Sequence, residues 1–207
     1  MNIQTAYDNW SDSYDADINL TRDLDSRVTR AGLGHRTFAS ILETGCGTGK
    51  NTAFLAGIGK QVHALDFSEG MIAKAHQKVN AANVRFEMAD LTQHWPCNDA
   101  AYDLVVCCLV LEHIANLSHI FAEAARVLQS GGTFFINELH PFKQYRGSKA
   151  RFEQNGQTVE VDAFVHHISD FLHAAKSNRL TLVTLNEYWH EEDAGKSPRL
   201  ISFLFER

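Results

Sequence analysis

Proline and cysteine are scarce in this chain: 207 residues contain 3 prolines and 4 cysteines. So few prolines beside 13 glycines exclude a fibrous or proline-rich low-complexity chain. Cys46, Cys97, Cys107 and Cys108 form no C-x-x-C pair, and the last two are adjacent inside an apolar run. That pattern argues for reduced thiols rather than disulfides or zinc. Long apolar runs are missing as well. The longest, Leu104 to Leu111, falls far short of the ~20 residues of a bilayer span. Met1 to Asp8 has neither the basic start nor the apolar stretch of a secretory signal. Positive charge is not in excess: 19 Lys plus Arg stand against 25 Asp plus Glu, a net charge of −6. Such a chain has no electrostatic footprint for a nucleic-acid backbone. These absences predict a soluble cytoplasmic protein, monomer or homodimer, with no nucleic-acid partner, no membrane and no metal.

What is present is ordinary for a globular domain, with 44% hydrophobic and 21% charged residues. The length suits one domain with a core of its own. Short apolar or β-branched runs at 40–43, 61–65, 83–87, 102–108 and 132–136 alternate with helical patterns. In one of these, Leu117, Ile120, Phe121, Ala124 and Leu128 recur at helical spacing. Gly131-Gly132 then reads as its stop. Alternation of this kind predicts βαβ units and a parallel sheet covered on both faces. Residues 180–190 and 198–206 read as strands joined by a loop too short for a crossover helix. The last strand should therefore run antiparallel to its neighbour. Asn155-Gly156 predicts a β-hairpin, with Phe152 opposite Val159 and Arg151 opposite Glu160.

The sharpest signal is the run Glu43-Thr44-Gly45-Cys46-Gly47-Thr48-Gly49-Lys50, between a predicted strand and a helix reaching about Leu55. Its glycines let the backbone turn tightly and approach a ligand. A phosphate-binding P-loop would need Gly and Ser or Thr where Thr44 and Asn51 stand. A dinucleotide fingerprint would need its third glycine one residue later than Gly49. What remains is a G-x-G-x-G loop preceded by an acidic residue.

That segment resembles the first motif of the class I S-adenosylmethionine-dependent methyltransferases. The resemblance continues in order through Leu65-Asp66-Phe67-Ser68-Glu69-Gly70-Met71, Ala89-Asp90-Leu91, Tyr102-Asp103-Leu104-Val105, Leu111-Glu112-His113-Ile114 and Arg126 to Gly132. It covers about residues 38–138 and the terminal strand pair, with Ser130 where the family usually has proline. The resemblance implies an α/β, Rossmann-like, seven-stranded and mostly parallel sheet with an antiparallel last strand and helices on both faces. It implies a single domain over 1–207, with a helical lid at 1–38 and a loop and hairpin insert at 140–163 over the acceptor site.

The implied cofactor is S-adenosyl-L-methionine. Its implied contacts are Tyr14, Glu43, Gly45, Cys46, Gly47, Gly49, Asp66, Phe67, Met71, Asp90, Leu91 and Cys108. A carboxylate at Asp66, ending the second strand beside the glycine loop, suits the two hydroxyls of a ribose. Asp90 would meet the adenine amino group. The implied activity is methyl transfer to oxygen or nitrogen of a small-molecule acceptor. Two alternatives stay open: a nicotinamide-dependent oxidoreductase, and a non-catalytic module that binds the cofactor.

Acceptor candidates are Tyr7, His113, Glu138, His140 and Tyr145. Tyr7, Trp10 and Tyr14 fall at i, i+3 and i+7 of a predicted N-terminal helix. His113, Glu138 and His140 follow strands at the edge where open α/β sheets bind ligands. His113 is the candidate catalytic residue, as a base or an orienting group. The stretch His140 to Lys149, with Arg151 beyond it, mixes aromatic and basic residues suited to an acidic substrate.

Overall fold

Residues 3–16, 18–154 and 156–207 are described by the computed structural model. Strands β1 (Phe38–Thr44), β2 (Gly59–Asp66), β3 (Val84–Met88), β4 (Tyr102–Cys108) and β5 (Leu128–Leu139) pair in parallel. With β8 (Thr181–Tyr188) and β9 (Leu200–Glu206) they form one sheet of order β3-β2-β1-β4-β5-β9-β8. The last strand, β9, runs antiparallel between β5 and β8, as the short 191–197 connection requires. The α/β expectation therefore holds, and it holds in the strand where a doubly wound dinucleotide fold would differ.

Alternate residues of the strands feed two apolar layers. Val105, Phe134, Phe203 and Phe205 pack with Phe121 of α5 (Leu117–Val127) and Phe171 of α7 (Ile168–Ser177). Leu104, Val106 and Phe135 pack with Leu24 and Val28 of α2 (Leu20–Leu33) and Leu55 of α3 (Thr52–Ile58). The fourth strand is apolar on both sides because both layers use it.

Two expectations shift. Helix α5 ends at Val127, and β5 has already begun at Leu128, before the glycine pair. Gly131, at φ +74°, sits in β5 where its register with β4 slips between Tyr102 and Leu104. The glycines make a bulge there, not a helix stop. The N-terminal helix α1 (Ile3–Trp10) stops before Tyr14, which stands in the turns that follow. The aromatic stripe forms all the same, with ring centroids 5.8 Å apart for Tyr7–Trp10 and 4.8 Å for Trp10–Tyr14.

Helix α1 lies on the start of α4 (Glu69–Lys78). Ser68 Oγ donates to Asp8 Oδ1 at 2.6 Å, and a Cβ on Gly70 would fall 2.7 Å from Ser11 Oγ. The turns after it are pinned by Thr48 Oγ1 donating to Asp15 Oδ1 (2.8 Å) and by the pairs Lys74–Asp12 (2.8 Å) and Lys78–Asp15 (2.9 Å).

The hairpin of β6 (Arg151–Gln154) and β7 (Gln157–Glu160) pairs Phe152 with Val159 and Arg151 with Glu160, the register its sequence requires. Gly156 has φ +73°; Asn155 lies outside the described residues, as do Met1 and Asn2. Trp10 stacks on Phe152 with centroids 5.1 Å apart and planes 15° apart, so α1 and the hairpin share a small core of their own. Trp10→Ala is expected to remove about 3 kcal/mol of that docking. In hydrogen exchange, amides at 151–160 should then open about 100-fold more often. Unchanged protection would show that the hairpin is held elsewhere.

Candidate functional site

The carboxyl ends of β1, β2 and β4 surround one cavity. Its walls include Gly45, Cys46 and Gly47 of the loop after β1, and Asp66 and Phe67 after β2. Asp90 and Leu91 come from beyond β3, and Cys108 from the end of β4. Glu43, Met71, Tyr7, Tyr14 and His113 complete the set. The structure thus gathers eleven of the twelve residues named as cofactor contacts, and adds His113 and Tyr7 from the acceptor set.

The twelfth, Gly49, lies off the wall. A Cβ there would come 2.8 Å from Val79 Cγ2, and φ is +81°, so this glycine lets the loop settle on α4. Gly47 differs: at φ +53° it has open space where a Cβ would be. Its N–H donates to Asp66 Oδ2 at 2.8 Å.

Asp66 binds the loop together. Its second oxygen accepts from Ser68 N–H at 2.9 Å. Each oxygen keeps a further lone pair for a ligand hydroxyl. Burial pushes its carboxyl up to about 6, against the pull of these N–H groups. Asp90 is exposed and accepts from Thr92 N–H and Oγ1 at 2.9 and 2.7 Å. Glu43 is buried and accepts from Thr52 Oγ1 at 2.5 Å. Burial raises it to about 8, with Asp25 and Asp66 adding repulsion. Tyr14 stacks under the guanidinium of Arg22, 4.0 Å above its ring, and burial lifts its hydroxyl to about 12.

Sequence reasoning missed Asp25 and Asn51. Asp25 sits on the buried side of α2 and accepts from Asn51 Nδ2 (2.8 Å) and Asn137 Nδ2 (2.6 Å). Burial raises its carboxyl too. Asn51 Oδ1 is buried with no hydrogen-bond partner among the described residues. An aspartate in a helix reads as solvated, and no local pattern flags it. Only the packing of α2 against β5 does.

On the acceptor side, His113 Nδ1 lies 3.0 Å from the Asp162 carbonyl, which can only accept. Nδ1 therefore carries the proton, and Nε2 accepts from Tyr7 Oη at 2.7 Å. Burial holds the ring below its ordinary pKa and so neutral near pH 7. His113→Ala is expected to leave Tyr7 Oη unpartnered and cost about 1–3 kcal/mol. S-adenosylhomocysteine affinity should stay within about threefold, below 1 kcal/mol. Parallel melting and titration curves check this; a large affinity loss without a melting shift would contradict it.

Glu138, His140 and Tyr145 line neither this cavity nor the cleft beside it. Glu138 is buried under the loop after β4 and accepts from Val110 N–H (2.9 Å) and Leu111 N–H (3.0 Å). His140 is buried at the start of α6 (Pro141–Tyr145). It accepts from Phe142 N–H through Nδ1 and meets Glu187 Oε1 at 2.8 Å. Tyr145 is exposed, its hydroxyl 2.6 Å from His167 Nδ1. Strand-end position was a fair guide to the sheet edge, but not to which way each side chain turns.

A glycine loop crossing from β1 to α3, an acid ending β2 and an inserted antiparallel strand define the class: a Rossmann-like α/β domain with a cavity at the carboxyl edge of its sheet. A methyltransferase-domain family model matches residues 42–136. The malonyl-[acyl-carrier protein] O-methyltransferase of Yersinia pestis is 28% identical over 170 residues, 82% of this chain and 59% of that protein. The ubiquinone biosynthesis O-methyltransferase of Thiobacillus denitrificans is 29% identical over 114 residues, 54% of this chain and 48% of that protein. The chain thus spans about half to three-fifths of these relatives. Among solved structures, the N-methyltransferase NodS from Bradyrhizobium japonicum, in complex with S-adenosyl-L-homocysteine, superposes with TM-score 0.76. It shares 17% identity, over 100% of this chain and 99% of that one. Residues 42–136 thus match a methyltransferase domain, and the whole chain has the fold of this solved methyltransferase structure. No helix among the described residues is long and apolar enough to cross a membrane.

Proposed function

We propose that this chain transfers the methyl group of S-adenosylmethionine to oxygen or nitrogen of a small molecule. The observation that carries this reading is the set of carboxyl groups in the cavity wall. Asp25, Glu43 and Asp66 converge on it, all three raised by burial. A cation beside such carboxyls favours their ionised form and a pyrophosphate opposes it, so the wall disfavours a nicotinamide dinucleotide. S-adenosylmethionine carries a sulfonium and an ammonium, and supplies an electrophilic methyl group when bound.

The residues fit this cofactor. Asp66 would hold the ribose hydroxyls, with Phe67, Met71 and Leu91 around the base and Asp90 towards its amino group. Glu43, Asp25 and the orphaned Asn51 Oδ1 suit the ammonium, and Arg22, on the same wall, suits the carboxylate. Tyr7 and Tyr14 would cover the site. Holding two reactants in line can lower the barrier by ~7–11 kcal/mol, so no dedicated base is obligatory.

Calorimetric titration with S-adenosylhomocysteine and with NAD tests the cofactor. Binding of the first and not the second is expected; the reverse would make the chain an oxidoreductase domain. Release of S-adenosylhomocysteine on adding acceptors then separates an enzyme from a binding module.

A further inference from the structure

Beside the cofactor cavity lies a larger cleft of about 940 Å³, walled by α1, the segment leading into α2, the α6–β6 connection and the hairpin. The two spaces share Tyr7, Tyr14, Arg22 and Leu109, so the cleft adjoins the cofactor site directly. Its inner end holds Glu112. The turn that carries Glu112, Leu111–His113, is fixed by Glu138 beneath it, and Phe164 N–H donates to the Glu112 carbonyl at 2.7 Å. The Glu112 side chain is 8% exposed, and its Oε2 has no hydrogen-bond partner among the described residues. Its other oxygen lies 3.7 Å from His113 Nε2, which already accepts from Tyr7 and has no proton to offer. Burial raises the Glu112 carboxyl to about 7, against the pull of a hydrogen bond from the Gln144 side chain. A buried carboxyl oxygen left without a donor is rare in folded proteins. Glu112 is also one of the residues that line the cleft.

The outer part of the cleft has the opposite character. Of six cationic side chains in the whole lining only Arg22 is shared with the cofactor cavity; the other five stand against Glu153 and Glu160, on a chain whose net charge is −6. Asp193, buried beneath, already pairs with two of the six, Lys143 at 3.1 Å and Arg199 at 2.7 and 2.8 Å. Arg146, Lys149 and Arg151 make no side-chain hydrogen bond or ion pair among the described residues, and all three are exposed. Glu153, which accepts from Thr158, and Glu160 share the same wall.

We propose that this cleft takes a methyl acceptor with an anionic group at its outer end and a hydroxyl or amino nucleophile at Glu112. The proposal rests on the methyltransferase reading above and names its acceptor class. Arg146, Lys149 and Arg151 hold the anion. Glu112 Oε2 accepts a hydrogen bond from the nucleophile's O–H or N–H. As the nucleophile's lone pair forms the new bond to the methyl carbon, the electrons of the carbon–sulfur bond stay on sulfur. The proton released from the nucleophile passes to Glu112. Hydroxy acids and amino acids share this chemistry.

Citrate serves as a generic anionic probe, read by the fluorescence of Trp10 in the cleft wall. With S-adenosylhomocysteine bound, citrate should quench saturably in the millimolar range, where sodium chloride at matched ionic strength does not. Lys149→Glu/Arg151→Glu should weaken that binding at least fivefold and leave S-adenosylhomocysteine affinity and melting temperature unchanged. Quenching equal to that of sodium chloride, or unaltered by charge reversal, overturns the anionic assignment. If the parent fails to bind S-adenosylhomocysteine, the methyltransferase reading itself falls. Failure of citrate alone removes only the acceptor class.

A second arm offers 4-hydroxybenzoate, 4-aminobenzoate, glycolate and glycine beside their neutral amides. Turnover is expected with acids and not with amides, and the oxygen and nitrogen members tell the two sources apart. Glu112→Gln should lower kcat at least tenfold while citrate binding stays as in the parent and the melting temperature does not fall. Amides used as well as acids, or full turnover by Glu112→Gln, overturns the proposal.

Discussion

Replacing Asp66 by alanine is expected to weaken S-adenosylhomocysteine binding by one to two powers of ten. The carboxylate ends β2 with one oxygen on Gly47 N–H and the other on Ser68 N–H. It therefore does two things at once. It offers free lone pairs to a ribose, and it clamps the glycine loop to the first turn of α4. A hydrogen bond to a charged group contributes roughly 1.5–3 kcal/mol, which corresponds to the stated loss. The same substitution strands two backbone donors, so the melting temperature should fall as well. Asp66→Asn separates the parts. An amide oxygen can still accept from one N–H, so the loop is half retained while the charge is gone. Its affinity should lie between parent and alanine variant. Calorimetric titration of the three proteins checks this, and equal affinity for parent and Asp66→Ala would remove the pocket assignment.

The second large effect concerns pH. Burial raises Glu112 to about 7 and both Glu43 and Glu138 to about 8. A carboxyl whose folded pKa lies above its unfolded value binds its proton more tightly in the native state. Its contribution is then greatest at low pH and is lost as pH rises towards the folded pKa. His63, His113 and His140 are pushed down by burial and act in the opposite sense, but only below about 6.5. Between pH 6.5 and 8 the carboxyls act alone among these groups. The ligand-free chain is expected to lose ~2 kcal/mol or more across that window, since each tenfold difference in proton affinity between folded and unfolded chain corresponds to ~1.4 kcal/mol.

Glu43→Gln is the sharp test. Its amide oxygen still accepts from Thr52 Oγ1, while the buried charge is gone. The variant should melt several degrees higher than the parent at pH 8, at roughly 2–4 °C per kcal/mol for a chain of this size. It should also bind S-adenosylhomocysteine more weakly, because one carboxyl facing the ammonium is lost. A parent melting temperature flat from pH 6.5 to 8, or a variant that is less stable at pH 8, sinks the argument.

Several parts of this picture were legible in the residues. The glycine loop could be read because turn, close approach and helix entry all demand small residues within five positions. The hairpin register followed from Phe152, Val159, Arg151 and Glu160, since pairing across two strands is a local constraint. Asp66 could be placed because a strand end next to that loop leaves a carboxylate few other partners. Glu138 has the same credentials, an acid near the end of a neighbouring strand. Yet it turns to Val110 and Leu111, which lie 27 and more residues away in sequence. Asp25 was invisible for the reverse reason: its partners, Asn51 and Asn137, come from α3's cap and β5. Gly131-Gly132 was misread because a helix stop and a bulge ask for the same backbone freedom. Polar side chains find partners across the fold, and no spacing rule records that.

The pinned turns after α1 respond to salt unevenly along their length. Tyr14 stands in the wall of the cavity, on the segment between α1 and α2. Tyr14 itself is held by Arg22 and Trp10, and the rest of the segment by Thr48 on Asp15 and two solvent-exposed ion pairs, Lys74–Asp12 and Lys78–Asp15. Exposed pairs of this kind contribute about 0–1 kcal/mol each and weaken further in salt. The two ion pairs are therefore the part of this hold that answers to ionic strength, while the contacts of Arg22 and Trp10 with Tyr14 keep the deeper end in place.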